Sequence, residues 1–131
     1  MAENMTADLP VIECEITFLS EREGGRKRFG NGMLSGYQYR PHLVVGDINQ
    51  RKAILDENKF GMEEYLGVAF FDGPEIIEPD IVIKVSMVLM YFPNVNYEKL
   101  IPNATFTLRE GAKVVGFGSV IMRRENSENP S

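Results

Sequence analysis

Thr105-Phe106-Thr107-Leu108-Arg109-Glu110-Gly111-Ala112-Lys113-Val114-Val115-Gly116-Phe117-Gly118-Ser119-Val120-Ile121-Met122 is the stretch on which the reading of this chain turns. Its first half alternates, with Phe106 and Leu108 on one face and Thr105, Thr107 and Arg109 on the other. That is the period of a strand with one buried face. Glu110-Gly111-Ala112 is short enough for a hairpin turn, with Gly supplying a positive φ. Lys113 to Met122 then reads as the return strand. Gly116 and Gly118 lie two apart, on one face of it, which predicts tight curvature or the close approach of another backbone.

The same period extends outward from this hairpin. In Val11 to Leu19, Ile12, Cys14, Ile16 and Phe18 share a face, while Glu13, Glu15 and Thr17 share the other. Val82 to Phe92 places Ile83, Val85, Met87, Leu89 and Tyr91 together, and its eleven residues suit a strand curving around a barrel. Tyr65 to Phe71 is another strand, ended by the turn signal Asp72-Gly73-Pro74. Arg40 to Val45 is a short one, and Pro41 predicts that it lies at a sheet edge, free to pair between chains. One segment departs from the pattern. Asn49 to Phe60 reads as a short helix with Ala53, Ile54 and Leu55 apolar, Asp47 as its cap and Gly61 near its end. The fold expected is all-β: a small antiparallel Greek-key barrel with one short inserted helix. Residues 10–123 form its single domain, with an insertion at about 46–64, between a flexible terminus at 1–9 and a flexible acidic tail at 124–131.

Composition narrows the function. The chain has 131 residues, the size of one domain. Fourteen Lys and Arg against nineteen Asp and Glu give a net charge of −5, which excludes coating nucleic acid through bulk charge. One Cys and one His make an internal disulfide and a closed His/Cys zinc site impossible. The start of the chain carries no basic and apolar leader, and no stretch approaches the length of a membrane span, so the cytoplasm is the compartment expected.

Catalytic motifs are missing from the sequence. His42 is a conceivable general base, but no positioned partner is identifiable. Cys14 lies on the apolar face of its strand, where a thiol behaves as a small hydrophobe. The carboxylates Asp56, Glu57, Glu63 and Glu64, and the set Glu75, Glu78 and Asp80, have no calcium-loop or acid–base spacing and read as solvated. There is no phosphate-binding P-loop, and Gly116-Phe117-Gly118 sits inside a strand. No enzyme activity, cofactor or metal is expected. What stands out is Arg22-Glu23-Gly24-Gly25-Arg26-Lys27-Arg28, four cations in seven residues of an acidic protein, in a loop able to contact anionic groups.

Three stretches together resemble the C-terminal β-barrel, the third domain, of translation elongation factor Tu. Ser20-Glu21-Arg22-Glu23-Gly24-Gly25-Arg26, with Phe29 after it, is similar to that domain's strand-end loop. Tyr39-Arg40-Pro41 is similar to its Y-R-P-Q strand opening, and Phe106 to Val120 to its F-x-I-R-E-G-G-R-T-V-G-A-G-V-V hairpin. The resemblance covers about residues 11–122 in matching order. It implies the barrel fold, and it implies tRNA contacts at Arg26, Lys27, His42, Glu110 and Gly111. Gly24, Gly25 and Pro41 would be structural turns. The departures are large. The GTP-binding domain and the second barrel have no counterpart in these residues, His42 replaces a Gln, and Ala112-Lys113 replaces Gly-Arg. The function expected is a non-catalytic module without GTPase activity that acts by protein–protein contact, as a regulator or immunity-type mimic. Its contact residues would be Arg26, Lys27, Arg28, His42, Glu110 and Gly111. The alternative is a tRNA- or RNA-binding accessory of translation.

Overall fold

A computed structural model describes residues 9–54 and 63–125. The alternating segments form six strands: β1 (Val11–Phe18), β2 (His42–Val45), β3 (Leu66–Asp72), β4 (Val82–Leu89), β5 (Thr105–Glu110) and β6 (Lys113–Arg124). All neighbours are antiparallel, and the order β1-β4-β3-β2-β5-β6 closes on itself as a barrel. β2, β3 and β4 follow one another across the sheet, and β5 returns by a long connection to lie beside β2, which is a Greek key. No described residue is in an α-helix, and no helix is long and apolar enough to cross a membrane.

The inward sides of the strands fill the barrel. Ile12, Cys14, Ile16 and Phe18 of β1 are buried together with Phe106, Leu108, Val85, Met87, Leu89, Val68 and Phe70. The two ends are plugged by loops. Phe29 packs edge-on against Phe18 with ring centres 5.1 Å apart, and Tyr39 lies 5.2 Å from Phe70. At the other end of β3, the Tyr97 hydroxyl donates to the Gly67 carbonyl at 2.7 Å and accepts from the Tyr91 amide. The β1–β6 seam that closes the barrel is tight. A side chain at Gly118 would run into the Glu15 carbonyl oxygen, and one at Gly116 would lie 2.7 Å from the Thr17 carbonyl oxygen. The close approach expected at these two glycines is therefore present.

Parts of the outward sides are covered as well. Leu9, Tyr37, Phe71 and Met90 pack over Val11, Ala69 and Val88. Elsewhere on the outside, Gly46 bonds to Thr105, and Glu63 and Tyr65 bond to Arg109 of β5. Thr107 and Arg109 point outward from β5, yet both are buried.

Several expectations need correction. Asn49 to Ile54 is not helical, and residues 55–60 of the expected helix lie outside the described residues. Side chains take the backbone donors there. Asp47 accepts from the Asn49 amide at 2.8 Å, and Glu63 accepts from the Ile54 amide at 3.0 Å. Such bonds compete with a helix ladder. β2 is not at an edge: it pairs with both β3 and β5, and Pro41, just before it, uses its carbonyl to accept from the Val68 amide. Barrel closure removes the edge that would pair between chains. β4 ends at Leu89, so the chain turns before Tyr91, which is half exposed. Leu9 packs against the barrel, and Arg124 of β6 pairs with Val11 of β1. Residues 1–8 and 126–131 lie outside the described residues.

Candidate functional site

Local backbone chemistry builds the basic loop. After β1, Ser20 caps a single 3-10 turn, Glu21–Glu23: its side chain accepts from the Glu23 amide, and the Glu23 carboxylate accepts from the Ser20 amide. This reciprocal capping box orients the entry to the loop. Gly24 ends the turn in the left-handed region at φ +97°, open to glycine at little cost. Gly25 is buried against the Leu19 carbonyl, too close for any side chain. The two glycines thus serve as turns, and they deliver Arg26 to the barrel wall.

Arg26 does not project into solvent. Its Nε pairs with Glu110 at 2.9 Å, its Nη1 lies 3.1 Å from the Met33 sulfur, and its guanidinium sits over the Tyr39 ring at 5.4 Å. The Tyr39 hydroxyl donates to the same Glu110 oxygen at 2.6 Å. Burial, and then the bond to Glu110, push the Tyr39 hydroxyl well above its ordinary range, so it remains a donor. Glu110 ends β5, and Gly111 follows at φ +61° in a two-residue turn to Lys113, with Gly at the first central position as a type II′ hairpin demands. Loop and hairpin are thereby clasped at one end of the barrel.

Arg26, Lys27, Arg28, Glu110 and Lys113 line a shallow concavity of about 370 Å³. Lys27, Arg28 and Lys113 are exposed and form no ion pair or hydrogen bond among the described residues. Four of the six expected contact residues are therefore neighbours, with Gly111 at the adjoining turn. His42 is elsewhere. It faces outward on β2 opposite Arg109, with its ring edge-on to Tyr65 at 5.9 Å.

Two parts of this region escape a reading from sequence. Lys113 carries a visible charge, but only the hairpin register sets it beside the Arg26 loop. The second is Glu63. Expected among solvated carboxylates, it is instead a nearly buried partner of Arg109. Arg109 Nη1 and Nη2 reach its two oxygens at 2.9 and 3.1 Å, with Gln50 and the Ile54 amide also donating. The Arg109 bonds hold the Glu63 carboxyl down at about 2, well below the usual range. Arg109 completes its bonding with Thr107 and Tyr65. Glu75, Glu78 and Asp80 are exposed, as expected.

Cys14 is fully buried in the barrel, and burial pushes its thiol up to about 12. The folded protein is expected to resist alkylation by iodoacetamide near pH 8 for hours, and to react within minutes in denaturant. Prompt labelling of the native protein, followed by mass spectrometry, would contradict this placement. Among the described residues no group of three or more His, Cys, Asp or Glu could hold a metal ion.

The fold and the site define a six-stranded closed barrel with a clasped basic end. Compared with known protein families and with curated proteins, the chain matches none.

Proposed function

We propose that this chain is a non-catalytic binding module, similar in architecture to the third domain of elongation factor Tu, that acts by protein–protein contact as a regulator or immunity-type mimic. One observation carries the reading: the Arg26–Glu110–Tyr39 clasp fixes loop and hairpin as a rigid face that leaves Lys27, Arg28 and Lys113 exposed. A rigid exposed face lowers the ordering cost of association. The motifs at residues 20–26 and 39–41 and the turn of the hairpin motif at residues 110–112 meet at this end of the barrel, which supports the architectural likeness. The reading includes no GTPase activity, no cofactor and a cytoplasmic setting.

The test is capture of a stoichiometric protein from the native cell lysate by the tagged chain. Recovery of one defined partner is expected. A clean lane, with the bait shown folded by circular dichroism, would sink the proposal.

A second reading, a tRNA- or RNA-binding accessory of translation, draws on those same unpartnered cations. It expects nucleic acid in the eluate and binding that weakens steeply with salt.

A further inference from the structure

The concavity holds a carboxylate as well as cations, and that combination narrows what fits it. Glu110 uses one oxygen for both Arg26 and Tyr39. Its other oxygen receives no bond from a described residue, and the side chain is 30% exposed. The wall of the site thus offers three unpartnered cations, Lys27, Arg28 and Lys113, and one fixed acceptor. A phosphodiester backbone presents acceptors and negative charge at every phosphate, which Glu110 repels, and only ribose hydroxyls and base edges could donate to it. An acidic peptide presents carboxylates for the cations and backbone N–H donors for the Glu110 oxygen.

Two further observations point the same way. Tyr39, an aromatic ring in this corner, is half-buried and already covered by the Arg26 guanidinium, so it gives a poor platform for stacking a base. The whole chain carries −5, which opposes a long polyanion, whereas a short acidic segment meets mainly the local field within about one Debye length, ~8 Å in physiological salt.

We infer that the Arg26–Lys27–Arg28–Glu110–Lys113 concavity is a docking site for an acidic peptide segment of a partner protein, with Glu110 discriminating against nucleic acid. This rests on the proposed function as a protein-binding module and names the chemistry of the partner. Discrimination of this kind comes from an interaction that the wrong ligand cannot satisfy.

The test compares two fluorescent probes by anisotropy at about 50 mM salt, where surface charge is weakly screened: an Asp/Glu hexapeptide and a hexauridylate of similar charge. The peptide is expected to bind several-fold tighter than the RNA. Lys27→Glu/Arg28→Glu/Lys113→Glu is expected to weaken the peptide by about tenfold or more while leaving the far-ultraviolet spectrum unchanged, each exposed ion pair contributing a fraction of that. Glu110→Gln is expected to tighten RNA relative to peptide. RNA binding as tightly as peptide, or a preference unmoved by Glu110→Gln, overturns the inference. The lysate experiment separates the two levels. If the triple variant still captures the same protein partner, the docking site is wrong and the binding-module reading stands. If the unmutated chain captures none, the broader reading fails.

Discussion

Arg109→Leu is expected to destabilise the folded protein by about 3 to 5 kcal/mol, the range seen when one member of a buried ion pair is removed. The cause is not the loss of an attraction alone. Arg109 is fully buried on the outside of β5, and Glu63 is nearly so. Without the guanidinium, a desolvated carboxylate is left with Gln50 and the Ile54 amide as its remaining donors. Glu63→Leu in the same chain should return much of the loss, because two apolar side chains of suitable size replace the pair without leaving a charge. Urea unfolding of the two single variants and the double variant measures this, and a nearly neutral Arg109→Leu would show that the pair is solvated in solution. The pair also predicts a pH response. Glu63 is held at about 2 in the fold against an ordinary 4.5. Its folded value is depressed, so its stabilisation is fully present above pH ~4.5 and is lost as pH falls through about 2. Glu63→Gln should flatten the acid limb of the stability curve in that window.

Gly118→Ala is expected to be nearly as damaging, costing about 3 kcal/mol or preventing folding, at the upper end of what overpacking does. The added methyl would meet the Glu15 carbonyl oxygen, Ile16 Cγ2 at 2.8 Å and the Ile16 backbone at 3.0 Å. The Glu15 carbonyl and the Ile16 backbone of β1 cannot swing away as a flexible side chain would, so the β1–β6 seam must open. That seam closes the barrel. Gly111→Ala is the control, since nothing lies within 4 Å of the added methyl and only the left-handed φ of +61° opposes it. Its cost should be about 1 kcal/mol. Thermal unfolding of both variants by circular dichroism decides the matter. A Gly118→Ala melting temperature no lower than that of Gly111→Ala would mean that the strands do not approach so closely.

How far such features are visible beforehand depends on their range. The hairpin at Glu110–Lys113 was legible because turn chemistry and alternation are properties of neighbours in sequence. The inward faces of β1 and β5 were legible for the same reason. Alternation misled where a second layer intervened. It places Thr107 and Arg109 outward, which normally means wet, and nothing local announces that residues 46–54 and 63–65 cover them. Glu63 looked solvated because its partner lies 46 positions away. The sequence signal for a helix over 49–60 is three apolar residues, Ala53, Ile54 and Leu55. In its described part, side chains of Asp47 and Glu63 take the amides that a helix would need. Within the candidate site, the basic loop is a charge run plain in the sequence, whereas only the resemblance links His42 to it, and the outward position of His42 on β2 keeps it out of the concavity.

From sequence alone came the six strands, the two-residue hairpin and the glycines of the seam, because strand period, turn conformation and the absence of a side chain act over a few bonds. Tertiary structure decided which strand meets which, the closure that leaves β2 without an edge, the burial of Arg109 with Glu63, and the clasp that fixes Arg26 while leaving Lys27, Arg28 and Lys113 exposed. Those depend on groups far apart in the chain becoming neighbours, where desolvation and pairing, rather than local preference, set the energy.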